Sequence, residues 1–96
     1  MAVKLPASVR SALGPVPVRL VEQPRSGDRE CFGTFDMENR VIEIKRGMSP
    51  AFTRQVFLHE AIHVALWDSG AQLTADQEEQ VCTSLASFLI ASGLVR

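Results

Sequence analysis

The sequence predicts an α+β domain in which a small antiparallel sheet of about three strands is followed by two antiparallel helices. Three observations carry that expectation. Stretches with strand character all lie before Gly47. Two capped, apolar-faced helical stretches follow, at about 50–68 and 75–91. The turn between them, Gly70 to Leu73, is so short that the second helix must fold back on the first. At 96 residues, the chain is expected to form one domain spanning 1–96, large enough for one core and too small for two.

In chain order, Ala7 to Leu13 reads as a short helix ending at the Gly14-Pro15 break. Val16 to Val21 alternates weakly and reads as a strand. Pro17 marks it as an edge strand or a strand start, because proline cannot donate to a ladder. Gln23 to Arg29 has the Pro, Ser, Gly and charged composition of a loop. Cys31–Phe35 and Arg40–Lys45 flank Asp36-Met37-Glu38-Asn39 and read as a hairpin. The first long helix starts with Ser49 as N-cap and Pro50 at the first helical position, and Gly70 supplies a left-handed stop. Phe52, Val56, Phe57, Leu58, Ala61, Ile62, Val64, Ala65, Leu66 and Trp67 leave little of its circumference polar, which predicts a buried helix. Thr74 and Gln77 form a capping box for the second helix, and Gly93 follows it as a stop.

The first helix carries His59-Glu60-Ala61-Ile62-His63, which uses both histidines of the chain. Residues four apart lie one above the other on a helix face, so the two imidazoles can grip one divalent ion. This is the spacing of a zinc hydrolase site, with Glu60 as general base. Two histidines and a glutamate on a buried helix need partners, and a metal answers that need. A catalytic zinc takes three protein ligands and leaves one position open. With no histidine left, the third ligand is a carboxylate or a cysteine. Glu78 and Glu79, in the first turns of the second helix, both share a face with Cys82 and Leu89, so helix geometry leaves the choice between them open.

The His-Glu-x-x-His element followed by a glutamate on the next helix resembles the gluzincin metallopeptidases. Glu79-x-x-Cys82-Thr83-x-Leu85-Ala86-x-x-Leu89-Ile90 is similar to the corresponding run of the ImmA/IrrE family. The resemblance covers about residues 31–91. It implies a zincin-like core, zinc as cofactor, Glu79 as third ligand, and Thr83 in the place of the Asn or Asp that orients a ligand histidine. It further implies hydrolysis of a peptide or protein substrate held extended along an edge strand, in a bacterial or phage setting. The metzincin extension is absent, because Leu66 and Ser69 stand where Gly and His are required.

Composition narrows the remaining classes. A formal net charge of −1 gives no basic excess for nucleic acid. No apolar stretch is long enough for a membrane span, and the N-terminus lacks the apolar centre of a signal peptide. Cys31 and Cys82 make no disulfide framework and read as free thiols in a reducing cytoplasm, with Cys82 a small core residue. The chain has no tyrosine. A second donor to a developing oxyanion must therefore come from a backbone N–H, a lysine or an arginine, and Arg25, Arg29, Arg40 and Arg46 are the arginines available. That shortage gives weight to a second reading, in which the domain binds zinc but needs a partner for hydrolysis or serves as an interaction module. The oligomeric state is not written in the chain.

Overall fold

The computed structural model describes residues 4–95. Its strands are β1 (Ser8–Ser11), β2 (Gly14–Val21), β3 (Arg25–Ser26), β4 (Arg29–Glu30), β5 (Gly33–Asp36) and β6 (Val41–Lys45), and its helices are α1 (Pro50–Ser69) and α2 (Ala75–Ala91). The fold is α+β. The sheet departs from expectation in two ways: it has four strands, in the order β1-β2-β6-β5, and it is mixed, because β2 and β6 run parallel. The other neighbours are antiparallel.

The extra strand is the segment read as a short helix. Ala7 to Leu13 is too short to hold a helix by itself. Instead Ser8–Ser11 turns through Ala12 and Leu13 and pairs with Gly14–Pro17, with Val9 facing the core cluster. Pro17 sits where strand pairing changes sides. The first half of β2 pairs only with β1, and the ladder to β6 starts at Val18. The proline therefore marks a local start within an inner strand rather than an edge. The segment read as a loop between Gln23 and Arg29 carries the tiny β3–β4 hairpin. Gln23 Nε2 closes the base of this hairpin by donating to the carbonyls of Pro24 and Cys31, each at 3.0 Å.

The hairpin β5–β6 forms where the sequence places it, leaving β5 as the exposed edge beside α1. Val16, Ile42, Ile44 and Val64 are fully buried, and Val9, Val18, Phe35, Val56 and Phe57 pack around them. α1 lies across the sheet, touching β1, β5 and β6, while α2 packs on α1 and on no strand. Fully buried Cys82 and nearly buried Ala86 are the small residues that let the two helices approach.

The helix ends follow the local code. Ser49 accepts from Phe52 N–H, Gly70 takes φ 74° at the C-cap, and Thr74 with Gln77 forms a complete capping box. α1 is less buried than its apolar circumference suggests, with Trp67 52% and Phe52 38% exposed. Only the sheet side and the α2 side are covered, so an apolar stripe remains open. The buried side chains of α1 are Thr53, Leu58, Glu60 and Val64. The helix is anchored at its far end by Asp68. Arg40 donates to both oxygens of Asp68 at 2.8 and 2.9 Å and to Gly14 O at 3.3 Å, and Leu13 N–H donates to Asp68 at 3.4 Å. One carboxylate thereby ties α1 to two turns of the sheet. No described helix is long and apolar enough to cross a membrane.

Candidate metal centre

α1 presents His59 and His63 toward α2, and the capping box starts α2 so that Glu78 and Glu79 reach them in its first turns. The two Nε2 atoms lie 3.3 Å apart. One oxygen of Glu79 lies 3.0 Å from His59 Nε2 and 2.8 Å from His63 Nε2. Three donor atoms therefore converge on one point, within 4.8 Å of one another. Zinc–nitrogen bonds of about 2.0–2.1 Å place neighbouring ligands of a tetrahedral ion roughly 3.3 Å apart. The observed triangle is that size or slightly tighter, so the side chains fit such an ion with shifts of tenths of an ångström.

Glu78 does something different. Its carboxylate accepts from His63 Nδ1 at 2.6 Å, a short charge-assisted hydrogen bond. This fixes the ring and leaves Nε2 facing the common point. Thr83, to which the resemblance gives an orienting role, lines the cleft but makes no hydrogen bond to either imidazole among the described residues. Helix geometry alone does not separate the two glutamates; the way α2 is rotated on α1 does.

The electrostatics follow from this crowding of acids. Burial works against charging His63, but its bonds to Glu78 and Glu79, with the charge of Glu60 nearby, prevail and raise its pKa above the ordinary value. Burial would raise Glu79, yet hydrogen bonds from His59 and His63 hold it below the usual range. Glu60 goes the other way. It is 9% exposed, and desolvation raises its pKa against the opposing pull of His63 and His59. It has no hydrogen-bond donor among the described residues, and its oxygens are not sealed from the cleft. The fold turns it toward the sheet, with its stem against Gly33 of β5.

The cleft is an open trough of about 710 Å³ between the β3–β4 hairpin, β5 and the two helices. Its floor carries His59, Glu60, His63 and Glu79, and its walls carry Phe32, Phe35, Met37, Phe52 and Val56. Phe32 and Phe52 stand edge to face at 5.0 Å and remain exposed. Of the four candidate arginines, Arg25 pairs with Glu30, Arg46 with Glu22 and Arg40 with Asp68. Arg29 alone among the four lines the cleft.

Cys31 lines the same wall as a free thiol, its pKa raised by burial and by Glu60. Cys82 lies beneath the site, where burial and the neighbouring glutamates push its thiol up to about 12, so it stays protonated and serves as packing.

Comparison with known proteins returns no matching family model, no matching curated protein and no matching solved structure.

Proposed function

We propose that the chain is a minimal zincin-like metallopeptidase, in which His59, His63 and Glu79 hold one zinc ion and Glu60 is the general base. The observation that carries this reading is the convergence of two Nε2 atoms and one carboxylate oxygen beside a buried, unpaired glutamate. When bound, the ion supplies Lewis acidity, polarising the scissile carbonyl and making water a nucleophile at neutral pH. Glu60 accepts a proton from the attacking water and returns it to the leaving amine as the C–N bond breaks. Glu78 keeps His63 oriented throughout.

The substrate is an extended peptide. β5 is the free edge of the sheet and borders the cleft. Lys45 N–H donates to Phe32 O, so in this antiparallel ladder Gly33 and Phe35 turn their backbone groups away from β6, the side on which a peptide strand would add. Arg29, the one candidate arginine lining the cleft, is the proposed partner for negative charge developing on the substrate.

A zinc-binding module without catalysis is the second reading. Its support is the absence of tyrosine and of any further histidine to act as oxyanion donor. Metal analysis of the purified protein, combined with cleavage of a fluorescence-quenched hexapeptide library, separates the two. One equivalent of zinc and cleavage that stops on chelation and returns with zinc support the peptidase. Zinc without cleavage supports the module, and no zinc at micromolar concentrations rejects both.

A further inference from the structure

We infer that Gly33 is the positioning residue of Glu60. The inference rests on the reading of Glu60 as general base. Glycine is unfavourable within a strand, and it is commonly explained by a backbone conformation other residues avoid. That explanation fails here, because Gly33 is not among the residues with positive φ and pairs in ordinary register with Ile44. What the position demands is space. A Cβ at Gly33 would lie 2.6 Å from Val56 Cγ1, 3.2 Å from Ile44 Cδ1 and 3.3 Å from Glu60 Cγ. The bare backbone of β5 is thus the wall on which the Glu60 stem lies.

This wall matters because no hydrogen bond among the described residues fixes the base. Glu60 has no hydrogen-bond donor among the described residues, so packing sets where its carboxylate emerges into the cleft. His59 and His63 differ, since each is held by carboxylates of α2. A methyl group at position 33 therefore displaces Glu60 while leaving the imidazoles and Glu79 in place. Gly33 does its work through Glu60 and touches no reacting atom.

The test compares Gly33→Ala, Val56→Ala and the double variant Gly33→Ala/Val56→Ala. Removing the Val56 methyls relieves the 2.6 Å clash but not the contact with Glu60. Gly33→Ala is expected to keep one zinc per chain, to unfold at a lower temperature, and to lose about tenfold in kcat with KM nearly unchanged on the best-cleaved library peptide. The double variant is expected to regain thermal stability but not kcat. Recovery of both together would make Gly33 a packing residue only and overturn the inference. The activity-independent readout is the crystal structure of the double variant. A Glu60 carboxylate displaced from its wild-type place supports the inference even if the wild type cleaves nothing, a result that would reject the peptidase reading alone. An unmoved carboxylate overturns the inference.

Discussion

α1 carries two clusters of charge that solve opposite problems. At its C-terminal end, one carboxylate meets one guanidinium in a two-pronged pair, with the carbonyl of Gly14 and the N–H of Leu13 completing the set. Acid and base are matched one to one, and the Asp68 side chain is 1% exposed. In the middle of the same helix, three carboxylates crowd two imidazoles, and among the described residues Arg29 is the one arginine or lysine lining the cleft. Two imidazole nitrogens face one point, and the Glu60 carboxylate has no hydrogen-bond donor among the described residues. The lesson is that a satisfied polar cluster holds a fold together, whereas one with surplus negative charge and a converging donor set calls for a cation.

The comparison breaks most sharply at Glu60. Glu60→Gln should lower peptide hydrolysis by about 10²–10⁴-fold while zinc content stays at one equivalent. Since this variant removes a charge that burial disfavours, its melting temperature should hold or rise. Unchanged hydrolysis would show that Glu60 is not the base. Next come the two acids of α2. Glu79→Ala should abolish stoichiometric zinc binding, while Glu78→Ala should weaken it by about 10–100-fold through loss of the His63 tether. Competition titration against a chromogenic chelator ranks the two, and the opposite order would reassign the ligand.

A third experiment concerns pH in the metal-free protein. His63 has a raised folded pKa, so its contribution to stability is full below the unfolded value of about 6.5 and is lost as pH rises through the raised folded value. Zinc binds neutral imidazole, so its affinity should climb across that same interval. An isothermal titration series shows this as proton release on binding, and a flat profile would contradict the assigned partners. The smallest effect on the metal centre is expected from Asp68→Asn. Arg40 and hydrogen bonds from Ser11 and Leu13 hold the Asp68 carboxyl well below its ordinary range. The stability it contributes is therefore present above about pH 4 and is lost as pH falls toward its folded value. The variant should melt at a lower temperature at neutral pH, converge on the wild type in acid, and bind zinc as before. A large loss of zinc affinity would show that the two clusters are not independent.

The local features of this molecule are legible in its sequence because their causes are local. Ser49-Pro50, Gly70 and Thr74-Gln77 act on the backbone within one turn of themselves, and all behave as their types dictate. The turn at Asp36 is similarly self-contained, with its carboxylate accepting from the Glu38 and Asn39 N–H groups. The His59–His63 spacing is a consequence of helix pitch alone. What escapes the sequence depends on partners far along the chain. Ser8–Ser11 becomes a strand because Gly14–Pro17 is there to pair with it, and β2 meets β6 in parallel through a connection whose direction leaves no periodic trace. Glu60 is buried because β5 lies over it, and Glu78 binds Nδ1 because α2 is rotated by a particular amount on α1. A glycine inside a predicted strand was the one visible hint of close approach.

The attachment of α2 sets an order of events. This last helix touches α1 and no strand, yet it brings Glu78 and Glu79 to the site. It meets α1 along a seam where Cys82 and Ala86 are buried, and its first turns reach the imidazoles. An ion held from both sides would clasp α2 to α1, and loading and closure would then be one cooperative transition. Stripped of its ion, the domain should open from its C-terminal end first, exchanging the amide protons of α2 while those of the sheet stay protected.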